Sequence, residues 1–133
     1  MLIFPDVEKE TRTYLLDKLR PRWPDIRITT KVPANTDWTT KPRLVVLAVA
    51  GGGQRIGVVY ERVLIGFECY APTQGDAVAI ATWLRAYMEA WPQESGVVSG
   101  YSDNVRPTDS TDEATGYPSY WLSVNLLFKA SDA

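Results

Sequence analysis

The chain has 133 residues, a length that indicates one domain with a core of its own. Its 14 basic and 16 acidic side chains give a net charge of −2, which argues against a broad basic surface for nucleic acid. Histidine is absent and cysteine occurs once, so the sequence excludes an internal disulfide, a histidine-dependent catalytic triad and a zinc site made of Cys and His.

The first predicted element is a helix from Asp6 to about Leu19. Pro5 is typical of a helix start, and acidic residues in the first turns interact favourably with the helix dipole. The segment Arg20–Pro24 ends the helix, because neither of its prolines continues one. The expected buried stripe comprises Val7, Thr11, Tyr14, Leu15 and Leu19. The N-terminal residues lack the pattern of a signal peptide, and no apolar run approaches the roughly 20 residues of a membrane span.

Three strands are predicted next. Ile26–Val32 alternates apolar and polar residues, which is typical of a half-buried strand. Arg43–Ala50 is apolar on both faces and predicts a strand covered on both sides. Glu61–Ala71 alternates again. The glycines Gly51–Gly53 between the last two strands predict the mobile tip of an antiparallel ribbon, since glycine adopts turn conformations at little steric cost.

A second helix is expected after Thr73. The Thr73 side chain caps it, and Asp76 returns the hydrogen bond in a weak capping box. An apolar stripe of helical spacing runs as far as Trp91. Pro92 is expected to stop the helix.

The last third of the chain predicts a weaker strand at Val97–Val105, a long polar loop at Arg106–Pro118 and a closing strand at Tyr120–Lys129. The loop is expected to be mobile or ordered by a partner. The element order is then α-β-β-β-α-β-β. We expect a single α+β domain over residues 1–133, with two helices packed on one face of a mostly antiparallel sheet that carries a long β-ribbon.

The stretch AVAGGGQRIG, Ala48 to Gly57, raises the question of a phosphate-binding loop. Such a loop needs spaced glycines, a Lys-Ser/Thr pair and a helix behind it. Here a strand-like segment follows, so a flexible hairpin tip is the favoured interpretation. Whether this tip is inert or binds a partner stays open, and Arg55, at its end, is the residue to test for such a contact.

Other side chains that bear chemistry have simpler explanations. Asp109, Asp112 and Glu113 lie close together in the late loop, where a weak calcium site is possible, but their spacing fits no EF-hand and a solvated loop is favoured. Cys69 lies on the apolar face of its strand and is expected in the core. A pair of carboxylates that meet in space stays open, although no spacing favours it. We therefore expect neither an enzyme nor a bound cofactor or metal.

Three tryptophans have no obvious core position. Trp38 lies in a polar loop, Trp83 lies at the edge of the second helix stripe, and Trp121 lies on the outer face of the last strand. Exposed aromatic side chains of this kind indicate surfaces that other subunits cover.

Three stretches carry a resemblance to a known family. They are FPDVEKETRTYLLDKL near the start, ERVLIGFECYAPTQGDAVAIA in the middle and GYPSYWLSVNLLFKA near the end. From about Phe4 to Lys129 the chain resembles the tail terminator (tail-completion, minor tail) proteins of long-tailed phages that infect actinobacteria. The likeness is one of pattern, and none of the stretches is a catalytic signature.

The resemblance implies a structural role in the virion. Tail terminators are α+β domains that form a ring, usually of six subunits, which caps the tail tube, stops its polymerisation and joins the tail to the head connector. The implied partners are other copies of this chain, the tail tube protein and the head-tail connector protein. DNA would pass through the lumen without specific binding, and no membrane is involved. The implied location is the tail-head junction, and the host cytoplasm during assembly.

The candidate contact residues are Gly51, Gly52, Gly53, Gln54, Arg55, Trp38 and Trp121. Two other structural or binding roles stay open. One is a neck or head-tail stopper protein. The other is a nucleic-acid-binding α+β module, in which Tyr14 and the tryptophans would stack on bases. A small-ligand enzyme is the least favoured class, because histidine and any catalytic motif are missing.

Overall fold

The computed structural model describes residues 1–34, 36–40 and 42–132, and for residues 50–54 it describes the backbone alone. The described elements are β1 (Leu2–Ile3), α1 (Val7–Leu19), β2 (Arg27–Thr29), a 3-10 turn (Trp38–Thr40), β3 (Leu44–Ile56), β4 (Tyr60–Tyr70), α2 (Gln74–Glu94), β5 (Val98–Asp109), β6 (Ser119–Lys129) and β7 (Ser131–Asp132).

The main sheet has five strands in the order β2-β3-β4-β6-β5. Every pairing in it is antiparallel except that of β2 with β3. The predicted α+β class, the mostly antiparallel sheet and the order of its main elements are confirmed. The chain ends add a small antiparallel ribbon of β1 and β7, which the sequence did not predict.

Both helices cover one face of the sheet. The fully buried side chains of this layer include Leu15 and Leu19 of α1, Ile80, Leu84 and Met88 of α2, and Leu47, Phe67 and Phe128 of the sheet. Removal of this apolar surface from water is the main stabilising contribution to the fold. The opposite face of the sheet, which we call the outer face, lies away from the helices.

Helix α1 follows the sequence closely. Asp6 is its N-cap, with Oδ1 accepting a hydrogen bond from the Lys9 backbone N–H at 3.2 Å. Thr11, Leu15 and Leu19 are its buried positions, as the periodicity predicts.

The prediction that Pro92 stops the second helix is wrong, because α2 continues to Glu94. A helical proline removes the bond from its own missing N–H, but only two helical residues follow Pro92, and its fixed φ is compatible with a helix. Trp91, the residue directly before Pro92, holds the last turn of the helix in place. Its ring stacks on Tyr14, with centroids 4.6 Å apart, and meets Phe128 edge-on at 5.9 Å. Tertiary packing therefore overrides the local signal.

The predicted capping box at the start of α2 is confirmed for Thr73 and wrong for Asp76. The Thr73 side chain accepts from the Asp76 backbone N–H at 3.1 Å. The Asp76 carboxylate does not return to Thr73 but accepts from Arg43, at 2.8 Å from Nη2 and 3.1 Å from Nε. Arg43 also donates to Asp25 at 2.9 Å. An ion pair with a residue distant in sequence thus takes the place of the local bond.

Two strands differ from their predicted bounds. β2 covers only Arg27–Thr29, the residues that pair with β3. Ile26 and Ile28 are buried as predicted, whereas Val32 is 44% exposed. The prediction that β3 is covered on both sides holds only near its start. Burial ends after Leu47, and Val49 is 37% exposed. The apolar run therefore continues beyond the region that the helices cover.

The prediction that Gly51–Gly53 form the hairpin tip is wrong. Their backbone belongs to β3, which runs on to Ile56, and the turn lies at residues 57–59. Gly57 has φ +67°, a left-handed conformation that favours glycine at the true turn. The pairing of β3 with β4 shifts register on both sides of Gly52, so the glycine segment is an irregularity within the ribbon rather than its end.

The predicted loop Arg106–Pro118 is too long. β5 extends to Asp109, so the first four residues of the predicted loop belong to this strand, and the last two of them pair with β6 through Thr108↔Trp121 and Asp109↔Tyr120. The polar composition of this segment reflects an edge strand rather than a loop. The remaining residues form a connection with a turn near residue 114.

Candidate interaction surfaces at the two ends of the sheet

The turn between β3 and β4 forms one end of the sheet, and we call it the ribbon end. It comprises residues 55–62, the neighbouring chain termini and Lys129. Exposed large apolar side chains concentrate here. Of the eight among the described residues, five lie at this end or on the strand leading to it: Met1, Ile3, Val49, Ile56 and Val58. Val58 is 71% exposed, although most apolar side chains of the strands are buried. Exposed apolar side chains concentrated at one end of a protein are typical of an interaction site.

The chain termini are tied to the ribbon end by specific contacts. The Ala130 backbone N–H donates to the Val59 carbonyl at 2.8 Å. The Arg55 guanidinium lies over the Phe4 ring, 4.6 Å from its centroid. Arg55 is exposed, so one side of its guanidinium packs on its own chain while the rest remains open to solvent.

The ribbon end also has a basic rim. Arg55, Arg62 and Lys129 are exposed there, and none of the four ion pairs found among the described residues involves them. Glu61, half-buried opposite Arg55, and Asp132 offset part of this charge.

The opposite end of the sheet carries an aromatic cluster. Trp38 packs against Tyr70 and Tyr117, with ring centroids 5.1 and 4.8 Å away. The Tyr117 hydroxyl donates to the Pro42 carbonyl at 2.5 Å. Burial raises the pKa of both tyrosine hydroxyls above its usual value. Trp38, expected on an open loop, is therefore half-buried in a small cluster of its own.

Acidic side chains surround this cluster, and we call the whole region the loop end. Its exposed carboxylates are Asp37, Asp109, Asp112 and Glu113. Hydrogen bonds from Thr39 lower the pKa of Asp37, and those from Thr111 lower the pKa of Asp109, so both stay ionised at neutral pH. Arg106 is exposed nearby on β5, and the acids outnumber it.

The acids do not gather into a metal site within the described residues. No group of three or more ligating side chains occurs there. Asp109 Oδ1 instead accepts from the Thr111 backbone N–H, and Asp112 Oδ1 accepts from that of Ala114, both at 2.9 Å. These bonds shape the connection between β5 and β6.

A half-buried carboxylate fixes the base of the loop end. Glu68 Oε1 accepts from Ser110 Oγ at 2.6 Å and from Ser119 Oγ. The Ser110 backbone N–H also donates to the Ser119 carbonyl at 2.9 Å. Residues that the sequence predicts as mobile loop are therefore joined to β4 at this point.

Trp121 lies on the outer face, as predicted, and is half-buried there. Its six-membered ring lies directly over Gly66 of β4. A Cβ added at residue 66 would overlap that ring, at 2.7 Å from Cζ2. Gly66 is thus required for the close approach of the indole, which spreads along the sheet.

The other aromatic candidates pack mostly against residues of the same chain. Trp83 remains 37% exposed, with the Arg22 guanidinium 3.9 Å from its ring centroid. Tyr14 is stacked on Trp91, and its hydroxyl donates to Glu94 and to the Tyr87 carbonyl, each at 3.0 Å. Burial, followed by the hydrogen bond to Glu94, raises the pKa of Tyr14. Tyr14 is therefore not available to stack on a base.

Cys69 lies in the core, as expected. It is fully buried, and burial raises the pKa of its thiol. A thiol kept protonated in apolar surroundings is a packing group rather than a nucleophile.

The candidate contact residues divide between the two ends. Arg55 lies at the ribbon end and Trp38 at the loop end, while Trp121 lies on the outer face next to the loop end. The backbone of Gly51–Gln54 leads into the ribbon end, and the side chain of Gln54 lies outside the described residues. Sequence reasoning missed the exposed Val58 and the basic Arg62 and Lys129, which come together only through strand pairing.

No protein-family model matches the chain, and no curated protein is significantly similar to it. Within the described residues, none of the helices is both long enough and apolar enough to cross a membrane.

Proposed function

We propose that the chain is a structural virion subunit of the tail-terminator type, which forms a ring by self-association. The observation that carries the proposal is the apolar ribbon end, where Val58 is 71% exposed and Ile56 is 37% exposed beside exposed arginines. Exposed apolar side chains of this kind often mark a contact with another protein, whose binding would remove the apolar area from water.

The polarity of the molecule supports a ring. The ribbon end and the loop end differ in shape and charge, so a contact that joins one to the other is heterologous. A heterologous contact repeats from subunit to subunit and generates a closed ring when the rotation closes. The resemblance described above suggests six subunits.

The free edge of β3 offers a second surface for a neighbour. β2 pairs with β3 only as far as Val46, and from Leu47 to Ile56 no described strand lies on that side. Unpaired backbone groups at an edge favour pairing with another chain. The other sheet edge, β5, is less suited to pairing because it contains Pro107 and shifts register three times against β6.

In this function the ring would cap the tail tube, stop its polymerisation and bind the head-tail connector protein. Its mild negative charge is compatible with a lumen through which DNA slides, since a basic lumen would retain phosphates. The host cytoplasm during assembly and the tail-head junction of the finished virion are the corresponding locations. No chemical step is part of the proposal.

The neck or head-tail stopper role is the nearest alternative, because it is a related structural role that the sequence barely separates from the terminator. Action on the tail tube, which the terminator caps, distinguishes the two. The nucleic-acid-binding alternative is weakened by Tyr14, whose ring is stacked inside the chain.

The proposal is tested by tube assembly with purified tail tube protein, followed by electron microscopy. We expect the chain to form rings at one end of each tube and to shorten the tubes as its concentration rises. The variant Val58→Asp serves as the matched control, because it alters an exposed side chain and leaves the core intact. Unchanged tube lengths and bare tube ends with the natural chain would contradict the terminator role.

A further inference from the structure

The two ends of the sheet match each other chemically. The ribbon end presents aliphatic side chains, chiefly Ile56 and Val58, within a rim of Arg55, Arg62 and Lys129. The loop end presents the aromatic cluster of Trp38, Tyr70 and Tyr117 within a rim of carboxylates.

We propose that the ribbon end of one subunit docks on the loop end of the next copy of this chain. The inference rests on the proposed ring and deepens it by naming the subunit interface. Aliphatic side chains would cover the half-buried aromatic rings, while the arginines would face Asp112, Glu113 and Asp37. Such an arrangement has the apolar centre and charged rim that protein interfaces commonly show.

The ribbon end and the loop end of the same subunit cannot contact each other. β4 and β6 have 11 residues each and pair over their full length, with Tyr60↔Lys129 at the ribbon end and Tyr70↔Ser119 at the loop end. At about 3.3 Å per residue the two ends are about 33 Å apart. Complementary surfaces on opposite ends of a rigid sheet can meet only between molecules.

Hydrogen bonds within the chain already order the loop end before a partner binds. Glu68 joins Ser110 and Ser119 to the sheet, and the Tyr117 hydroxyl joins the same connection to Pro42. A docking surface that is already ordered loses little conformational entropy on binding. Opposite charges on the two rims would speed association and fix its orientation.

Two charge-reversed variants test the interface. One carries Arg62→Glu and Lys129→Glu, and the other carries Asp112→Lys and Glu113→Lys. Each alone places like charges on both ends, so we expect its self-association to weaken by about tenfold or more. An equimolar mixture of the two restores an opposite-charge contact at every interface, so we expect it to regain the ring. Because the mixture contains the same two proteins, misfolding cannot explain such a recovery.

Sedimentation velocity on the natural chain, each variant and the mixture gives the result, with and without tail tube protein. Arg20→Glu, an exposed charge reversal away from both ends, is expected to assemble like the natural chain. If the natural chain forms rings and both variants do so equally well, or if the mixture stays dissociated, the interface is wrong while the ring stands. If the natural chain never associates under either condition, the proposed function fails first.

Discussion

The β3–β4 ribbon has two halves that share the same strands and differ in what covers them. Near the loop end, Leu47 and Phe67 are fully buried beneath the helices. Near the ribbon end, Val49 and Ile56 are each 37% exposed although they are equally apolar. Hydrophobic sequence alone therefore does not determine whether a strand belongs to the core. Position in the sheet matters as well. Val63 and Ile65 of β4, which pair with Gly52 and Val49, stay buried, so the exposed apolar part belongs to the edge strand β3 and is available to a partner.

The sharpest test of this difference compares Leu47→Ala with Ile56→Ala, both on β3. Leu47→Ala leaves a cavity in the core and should lower the free energy of unfolding by about 2–5 kcal/mol. Ile56→Ala removes a side chain that is partly in water, so we expect a loss below about 1 kcal/mol in the dissociated chain. Urea denaturation at low protein concentration measures both. Equal losses would show that the ribbon end is part of the core.

Gly66→Ala tests whether the Trp121 indole is packed in a fixed position on the sheet. The new methyl group would displace the indole from the outer face, and we expect a loss of stability of about 1–3 kcal/mol. Gly96→Ala is the matched control, because no atom lies within 4 Å of the added Cβ. A variant Gly66→Ala as stable as the control would mean that Trp121 has no fixed place on the sheet.

The contact of Arg55 with Phe4 measures how firmly the ribbon end is held. A double-mutant cycle with Arg55→Ala and Phe4→Leu should give a coupling of about 0.5–1 kcal/mol, as for an exposed cation–π pair. Thermal denaturation of the four chains provides the values. Zero coupling would indicate that the N-terminal segment and the β3–β4 ribbon move independently. The contact of Arg55 with Phe4 would then not order the ribbon end.

The smallest expected effect concerns the β5 edge, which serves as a reference for an exposed polar contact. Arg85 donates to Asp103 at 3.0 and 2.9 Å and, with Tyr101, lowers the pKa of that carboxyl below 3.8. The stabilisation is therefore present above the unfolded pKa of about 3.9 and is lost as the pH falls through the lower folded value. We expect the natural chain to be slightly more stable than Asp103→Asn at pH 5–7, and the difference to shrink as the pH falls below the unfolded pKa. A difference that does not change with pH would assign it to packing.

The sequence predicted elements better than it predicted their ends. Capping by Asp6 and the stripe through Leu15 and Leu19 are local signals, and the structure confirms them. The glycine run was misleading because three successive glycines indicate flexibility but not the position of the turn, whereas the left-handed backbone of Gly57 marks it. Pro92 misled because the stacking of Trp91 on Tyr14 comes from a distant helix.

The candidate surfaces were only partly predictable for a related reason. The sequence indicated Trp38 and Arg55 as individual candidate contact residues, and each lies at one end of the sheet. The charges that rim these ends come from different strands, Arg62 from β4 and Lys129 from β6. Only the strand register brings them together, and the register depends on the whole sheet.

The central claim, that this molecule acts by association through its ribbon end, is tested most directly by native mass spectrometry of the natural chain and Val58→Asp. For the natural chain, alone or with tail tube protein, we predict a closed assembly near six times the 14.9 kDa of one chain. For Val58→Asp we predict a folded single chain at the same concentration. The same assembly from both proteins, or a natural chain that stays single under both conditions, would contradict the account.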